Sequence, residues 1–166
     1  MSTRVVKVAF VGSGGAGKTS LASRLVTGEF VQTMMTVGIN IQTWSISDEE
    51  SGGNMKVAMF DLGGQPQFRF FQASLLIGTH AVLIVVDMTR PRSLFEVDSW
   101  LPLIQHIPRT RWLLVGNKCD EQLQVAEDDI RQTADMLGVK YVIVSAKTGQ
   151  DIPRLIEVLV SILLSD

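Results

Sequence analysis

The chain of 166 residues has one cysteine, two histidines and no long apolar run, and each shortage excludes a class of protein. Its single cysteine, Cys119, cannot form an internal disulfide, which favours a reducing, cytoplasmic setting. His80 and His106 have no metal-ligand spacing with Cys119, so we interpret both histidines as structural. The longest strongly apolar run, residues 81–86, is too short to span a bilayer. A net charge of −2 gives no overall field that would hold nucleic acid.

Neither end of the sequence carries a lipidation pattern. Position 2 is Ser2 rather than glycine, and the final Leu164-Ser165-Asp166 contains no cysteine that could be prenylated. The first residues enter a strand pattern directly, which leaves no room for a signal peptide. We therefore expect a cytoplasmic monomer without a lipid anchor and without a nucleic-acid partner.

Apolar runs alternate with helical patterns along the whole chain. Strands are predicted at residues 5–11, 37–46, 55–60, 81–86, 112–115 and 141–144. Helices are predicted at residues 17–27, 93–107, 126–137 and 152–164, with a polar hairpin turn at 48–54. Such an order indicates an α/β protein whose mostly parallel sheet has helices on both faces and one antiparallel edge strand. We interpret residues 1–166 as one domain.

A glycine-rich segment between the first strand and the first helix matches the phosphate-binding pattern G-x-x-x-x-G-K-[ST]; it reads Gly12-Ser13-Gly14-Gly15-Ala16-Gly17-Lys18-Thr19. Glycines let backbone N–H groups point inward at phosphate oxygens, and the helix adds its positive dipole end. Lys18 would bridge the β- and γ-phosphates, and Thr19 would place its hydroxyl on Mg²⁺. An ordinary glycine-rich turn is the alternative, but chance produces this pattern in only about one chain in a hundred of this length. The candidate phosphate-binding residues are Gly14, Gly15, Ala16, Gly17, Lys18, Thr19 and Ser20.

A second polar segment, Asp61-Leu62-Gly63-Gly64-Gln65, follows the strand predicted at 55–60. Asp61 can hold Mg²⁺ through a water, and the N–H of Gly64 can meet the γ-phosphate. Taken alone, D-x-x-G is a weak signal, because an aspartate at a strand end usually caps a helix or forms a turn. The glycine-rich segment upstream favours the metal-binding interpretation.

The segment Asn117-Lys118-Cys119-Asp120 follows the strand at 112–115 and suits a guanine base. Asp120 can accept from N1–H and the 2-amino group of guanine at once. Adenine lacks this donor pair and would leave the carboxylate desolvated and unpaired, at a cost of about 1–3 kcal/mol or more. Asn117 can donate to N7 and tie neighbouring loops together, and the stem of Lys118 can lie along the base.

Ser145, Ala146 and Lys147 follow the last predicted strand. The backbone N–H of Ala146 could meet the O6 atom of guanine. By itself this tripeptide says little, because an exposed loop at a strand end would read the same way. Its value comes from following a strand, as the other polar segments do, since the carboxyl ends of parallel strands share one edge of a sheet.

Together these motifs, in this order, resemble the Ras superfamily of small GTPases over essentially the whole chain. The resemblance implies a P-loop NTPase G domain with a six-stranded mixed sheet, and a cycle between GTP and GDP that requires Mg²⁺. It also implies two switch segments that respond to the γ-phosphate and serve a signalling or trafficking switch. Effectors, a GTPase-activating protein and a nucleotide exchange factor are the implied partners.

The resemblance assigns further residues to the switch segments. Thr36 would bind Mg²⁺ and the γ-phosphate; Thr33 and Thr43 are alternatives on composition alone, but the T-[VI]-G context selects Thr36. Phe30 would place an aromatic edge against guanine, with ordinary core packing as the alternative. Gln65 would orient the attacking water, which makes Gln65, Lys18 and Thr36 the candidate catalytic residues.

No arginine lies close before Thr36, where Met34 and Met35 stand, so we expect slow intrinsic hydrolysis. An activating protein would supply the arginine, with Gly14 and Gly15 leaving room for it. A second hypothesis is an interaction module that binds GTP but hardly hydrolyses it, because Pro66 replaces the acidic residue common after the glutamine. A P-loop kinase is disfavoured because that hypothesis leaves Asn117 and Asp120 unexplained.

The motifs of the chain resemble more than one branch of the superfamily. The segment Thr36-Val37-Gly38-Ile39-Asn40 and the paired glycines Gly63 and Gly64 look like the Arf branch. In contrast, three segments look more like Rab or Ras members: Gln65 to Phe70, Asp87-Met88-Thr89, and Ser145 to Gln150. Such a mixture fits a divergent or prokaryotic relative.

Overall fold

The computed structural model describes residues 3–30, 38–48, 53–65, 67 and 69–165. Within these ranges the strands are β1 Thr3–Val11, β2 Ile39–Asp48, β3 Gly53–Leu62, β4 Ala81–Asp87, β5 Trp112–Asn117 and β6 Lys140–Ile143. The α-helices are α1 Lys18–Thr27, α2 Arg69–Leu75, α3 Pro91–Phe95, α4 Leu101–Ile104, α5 Glu127–Leu137 and α6 Ile152–Leu164. Short 3-10 helices lie at Glu96–Ser99 and Arg109–Arg111.

The strands of the described ranges form one six-stranded sheet in the order β2-β3-β1-β4-β5-β6. β1 pairs in parallel with β3 and β4, and the parallel pairing continues through β5 to β6. Only β2 is antiparallel; it pairs with β3 from Ile39↔Leu62 to Asp48↔Gly53. The predicted mostly parallel sheet with one antiparallel edge strand is therefore confirmed. Residues 49–52 of the predicted hairpin turn lie outside the described ranges.

Apolar side chains fill both faces of the sheet. On one face, Val8 and Phe10 of β1 pack in a cluster that includes Leu21 of α1 and Leu159 of α6. The alternate residues of β1, such as Ala9, pack in a second cluster with side chains that include Trp100, Ile104 and Ile130. All seven residues of β4 are buried, since this central strand is covered on both sides. The prediction of helices on both faces is confirmed.

The prediction of a single helix at residues 93–107 is wrong. The structure has α3, a 3-10 turn and α4 in this region instead. Pro91 begins α3 and Pro102 lies in the first turn of α4. Because proline has no backbone N–H, it fits the first turn of a helix and interrupts a longer one. The sequence pattern of residues 93–107 predicted helical structure but not its division into separate short helices.

Helix α2 was not predicted. Its apolar residues do not mark a buried face: Phe70 is 82% exposed, whereas the polar Gln72 is completely buried. A search for apolar periodicity therefore fails here, because the fully buried side chain of α2 is an amide and an arginine supplies further contacts. That arginine, Arg69, places its guanidinium 3.6 Å from the centre of the Trp100 ring and donates to the Ser99 carbonyl.

The remaining helices lie close to their predicted bounds, with α6 at the residues predicted and α5 beginning one residue later. In the part of the chain that the structure describes, no helix combines the length and apolar character needed to cross a membrane.

Candidate functional site

The polar segments that follow β1 and β5 meet at one edge of the sheet. Nδ2 of Asn117 donates to the Ala16 carbonyl at 2.9 Å, and Nζ of Lys118 donates to the Gly15 carbonyl at 2.8 Å. These contacts join positions more than a hundred residues apart, as expected when the carboxyl ends of parallel strands share an edge. The structure thus brings the glycine-rich segment and the predicted base segment together.

Lys18 lies beneath the glycine-rich loop that runs from Gly12 to Gly17. Its Nζ donates to the carbonyls of Gly12 at 3.1 Å and Ser13 at 2.9 Å, and the side chain is only 5% exposed. Burial lowers the pKa of Lys18 to about 8, although the carboxylate of Asp61 acts in the opposite direction. A cation held in this way is costly for the protein alone and suited to a nearby anion.

Two glycines of the loop are required by close contacts. A Cβ atom at Gly12, with φ +143°, would lie 2.3 Å from the Val85 carbonyl oxygen. A Cβ atom at Gly17, with φ +94°, would lie 2.2 Å from Nδ2 of Asn117. Both contacts are far inside van der Waals distance, so the loop approaches β4 and the base segment as only glycine permits.

Oxygen donors gather where the segment after β3 reaches the start of α1. The hydroxyl of Thr19 donates to a carboxylate oxygen of Asp61, which is 1% exposed. A Cβ atom at Gly64 would lie 2.1 Å from the backbone nitrogen of Gly14, so the two backbones are in direct contact. Oε1 of Gln65 is buried and has no hydrogen-bond partner among the described residues. A buried carboxylate beside a hydroxyl is the kind of donor set that Mg²⁺ prefers, so these residues fit that ion.

The base segment is locked in place by the loop after β6. Oδ1 of Asn117 accepts from the N–H of Ala146 at 3.1 Å, and the hydroxyl of Ser145 donates to Asp120 at 2.6 Å. Asn117 therefore ties three segments together, as predicted, while the Ala146 N–H already has a partner within the protein. Lys118 has a positive φ of 68° and pairs through Nζ with Asp87 at 3.0 Å.

The predicted residues of the first switch are only partly described. Phe30 is 39% exposed and is the last described residue before the gap at 31–37. Thr36, its alternative Thr33, and the pair Met34 and Met35 lie outside the described residues, so Thr36 stays a prediction. The second alternative, Thr43, lies within β2 opposite Ala58, several residues from the edge that carries the other motifs.

The predicted residues Ser20 and Lys147 lie at the same edge as the loop. Ser20 belongs to the first turn of α1 and is buried. Lys147 is exposed, and its backbone carbonyl accepts from Arg24 at 3.1 Å. Pro66, on which the alternative of negligible hydrolysis depended, lies outside the described ranges.

The histidines and the cysteine have contacts that do not suggest metal binding. Nδ1 of His80 accepts from the backbone N–H of Lys7 at 2.9 Å, and Nε2 of His106 lies 3.1 Å from the Leu76 carbonyl. Burial and the nearby Asp120 raise the pKa of the Cys119 thiol. No group of three or more His, Cys, Asp or Glu side chains suited to a metal ion occurs in the described ranges.

Several residues of the site were missed by the sequence analysis. Nε2 of Gln72 on α2 donates to the carbonyls of both Gly38 at 3.0 Å and Gly63 at 2.9 Å. Arg24 on α1 contacts the loop after β6. Neither contact leaves a signal in the sequence, because each joins residues of different elements through an ordinary polar side chain.

Two further residues lie at the end of β4 and just after it. Asp87 pairs with Lys118 and also accepts from the hydroxyl of Thr89 at 2.6 Å. Its position at the carboxyl end of a buried strand is a signal that could have identified it. Arg90 places Nη1 3.7 Å from where a Cβ atom of Gly15 would lie. The space beside Gly15 is therefore bordered by an arginine of this chain.

Comparison with known proteins gives a family match along nearly the whole chain. The family model described as "Ras family" matches residues 7–165. The chain is 30% identical over 159 residues to Ras-related protein RabC of Dictyostelium discoideum. This alignment covers 93% of this chain and 81% of that protein. It is 32% identical over 161 residues to GTP-binding protein ypt2 of Schizosaccharomyces pombe, at 92% and 80% coverage. Ras-related protein SEC4 of Candida albicans is 30% identical over 164 residues, at 96% and 77%.

Proposed function

Because this chain belongs to the Ras family of small GTPases, we propose that it binds GDP and GTP with Mg²⁺ at the edge described above and hydrolyses GTP slowly. Its family membership makes it a GTP hydrolase that acts as a switch and works with regulators and effectors. The observation that best supports the proposed site is the pair of contacts from Asn117 and Lys118 to the glycine-rich loop. These contacts hold a base-recognition segment and a phosphate-binding segment at one fixed separation.

The phosphate end of the proposed site consists of the loop amides from Gly14 to Ser20 and the ammonium of Lys18. The loop opens directly into α1, so its N–H groups and the helix dipole favour an anion. Lys18 is held beneath the loop by two carbonyls and would exchange part of this contact for phosphate oxygens. Its lowered pKa supports this role, because an anion would remove the penalty of burying the charge.

Thr19, Asp61 and Thr36 would hold Mg²⁺. Thr19 and Asp61 are in contact and Asp61 is buried, which supports placing the ion beside these two side chains. When bound, Mg²⁺ would neutralise charge on the phosphates. The oxygens of Thr19 and Asp61 would determine where the charge of Mg²⁺ lies in the site.

The base end of the proposed site selects guanine through Asp120. Ser145 donates to one carboxylate oxygen of Asp120 and so fixes the orientation of the side chain. The carboxylate can then accept two hydrogen bonds from guanine, from N1–H and the 2-amino group. Adenine lacks this pair of donors. Asn117, Lys118, Ala146 and Lys147 would border the base, and Phe30 would close its edge.

The selectivity for guanine can be measured by displacing a fluorescent GDP analogue from the purified protein. We expect GDP and GTP to bind with submicromolar Kd in the presence of Mg²⁺. ATP should bind about 10- to 100-fold more weakly or worse, since adenine offers Asp120 no matching donor pair and leaves its carboxylate desolvated. ATP that competes as well as GTP would rule out the proposed base site.

Gln65 would orient the attacking water during hydrolysis, and its backbone neighbour Gly64 would meet the γ-phosphate. The direct contact of Gly64 with Gly14 and the buried, unpartnered Oε1 of Gln65 support this placement. The chemistry requires positioning and charge stabilisation rather than a covalent intermediate. An activating protein would supply a stabilising arginine, and its absence keeps the intrinsic rate slow.

Replacing Gln65 by leucine tests this role. We expect Gln65→Leu to slow single-turnover hydrolysis of bound GTP by about 10- to 100-fold, with GTP affinity nearly unchanged, because only the positioning of the water is lost. Gln67→Leu is the matched control: Gln67 is exposed two positions away, and its substitution should leave the rate unchanged. Equal rates for wild type and Gln65→Leu would remove Gln65 from the mechanism.

A further inference from the structure

Arg24, on α1, joins this helix to the loop after β6, although no motif contains it. Its guanidinium donates to three backbone carbonyls: Nε to Ala146 at 3.0 Å, Nη2 to Lys147 at 3.1 Å and Nη1 to Gly28 at 2.7 Å. Two of these acceptors lie 122 and 123 positions further along the chain. One side chain therefore connects the end of α1 with a loop at the other end of the sequence.

The loop after β6 is shaped around this guanidinium. Gly149 has φ +85°, and a Cβ atom there would lie 3.0 Å from Nη2 of Arg24. The N–H of Gly149 donates to the Ser145 carbonyl at 2.9 Å, which closes the loop into a tight turn. The turn from Ser145 to Gly149 thus wraps over Arg24, with two of its carbonyls directed at the arginine.

The other side of this turn faces the base segment. The N–H of Ala146 donates to Asn117, and the hydroxyl of Ser145 donates to Asp120. A continuous chain of contacts therefore runs from Arg24 through the turn to the carboxylate that would recognise guanine. The third acceptor, Gly28, is the C-cap of α1 and lies two residues before Phe30, the aromatic residue that the proposed function assigns to the edge of the base.

We propose that Arg24 is a positioning residue that sets how long the guanine nucleotide stays bound, by holding the 145–149 turn and the Gly28–Phe30 segment in place. This inference rests on the proposed function, because it assigns a role in the same base site. Arginine suits the task because its planar guanidinium presents several donors in fixed directions.

Release of a fluorescent GDP analogue from Arg24→Met, chased with excess GDP in the presence of Mg²⁺, tests the inference. We expect release about 10-fold faster than from wild type or more, because charge-assisted hydrogen bonds to two base-side segments are lost. Arg131→Met is the matched control: Arg131 lies on α5 and pairs only with Asp128 and Asp135 among the described ion pairs. Its release rate should stay within about twofold of wild type.

A second measurement separates positioning of the base loop from general weakening of the fold. Inosine diphosphate lacks the 2-amino group from which Asp120 would accept a hydrogen bond. Looser support of Asp120 should therefore reduce the preference for GDP over inosine diphosphate in Arg24→Met. An equal loss of affinity for both nucleotides would overturn the positioning role.

The outcomes for this inference and for the proposed function are distinct. Wild-type protein that binds no guanine nucleotide would contradict the proposed function itself. Wild-type protein that binds GDP, together with an unchanged release rate in folded Arg24→Met, would overturn only the role of Arg24. If circular dichroism shows that Arg24→Met does not fold, Arg24→Gln carries the same test, with faster release expected and an unchanged rate contradicting the inference.

Discussion

Substitution of Lys18 by methionine is expected to weaken GTP binding by about 100- to 10,000-fold while it stabilises the nucleotide-free protein. The loss of affinity follows from two charge-assisted hydrogen bonds to phosphate, each worth about 1.5–3 kcal/mol. The gain in stability follows from burial of the ammonium, which lowers the pKa of Lys18 from 10.5 to about 8. Such a shift corresponds to about 3 kcal/mol against the charged form at neutral pH.

Part of that gain is offset, because methionine cannot donate to the carbonyls of Gly12 and Ser13. We expect a net stabilisation of about 1 kcal/mol, or a rise in Tm of about 2–4 °C. The sign of the pH dependence follows from the lowered pKa. Between pH 8 and 10.5 the unfolded chain still holds a proton that folded Lys18 has released, so wild-type stability rises with pH in this window. The advantage of the variant is therefore largest below pH 8 and shrinks towards pH 10.5.

Thermal melting of nucleotide-free protein at several pH values, together with nucleotide titration, measures both effects. Lys56→Met is the matched control, because Lys56 is exposed on β3 and its substitution should change neither stability nor affinity appreciably. A Lys18→Met protein that melts below wild type at pH 7 would show that the ammonium stabilises the loop more than its burial costs. Undiminished GTP affinity would contradict the proposed phosphate site.

Substitution of Gly17 by alanine is expected to lower the free energy of unfolding by about 3 kcal/mol, which corresponds to a fall in Tm of roughly 10 °C. About 1–2 kcal/mol comes from placing a side chain at the left-handed φ of +94°. The rest comes from displacing Asn117, whose side chain would overlap the new Cβ atom and which makes two buried hydrogen bonds. Because Asn117 holds the base segment against the loop, GDP affinity should fall as well.

Gly138→Ala provides the control that separates backbone strain from the overlap. Gly138 caps α5 with a similar φ of +70°, and a Cβ atom there would meet nothing within 4 Å. We expect Gly138→Ala to lower the free energy of unfolding by about 1 kcal/mol and to keep wild-type GDP affinity. If denaturant unfolding gives equal losses for the two variants, the close contact between Gly17 and Asn117 does not determine the stability of the site.

The parts of the site that could be predicted from the sequence are those whose chemistry depends on residues adjacent in the chain. Lys18 and Thr19 follow a glycine-rich turn, Asp61 lies at the carboxyl end of β3, and Asp120 follows β5. Strand order and hydrophobic patterning therefore predict that they share an edge. The sheet was predictable for the same reason, since β4 and β5 are continuous apolar runs.

The contacts that could not be predicted depend on side chains that reach across the fold. Arg24 and Gln72 are ordinary polar residues of helices, and their acceptors are backbone carbonyls that carry no sequence signal. Helix α2 was missed for a related reason, because its buried residue is Gln72 and not an apolar one. The interruption before α4, whose first turn contains Pro102, shows that local backbone chemistry can divide a segment whose sequence pattern predicts one helix.

The amide of Gln72 has a mechanical consequence for the switch cycle. Nε2 carries two hydrogens, and both are committed: one to the carbonyl of Gly38 and one to that of Gly63. Gly38 is the residue that directly follows 31–37, whereas Gly63 directly precedes Gly64 and Gln65. The Gly63 N–H also donates to the Gly38 carbonyl at 2.8 Å. A displacement of the backbone at either Gly38 or Gly63 must therefore carry the other with it or break two buried hydrogen bonds at once, so these two positions are coupled through Gln72.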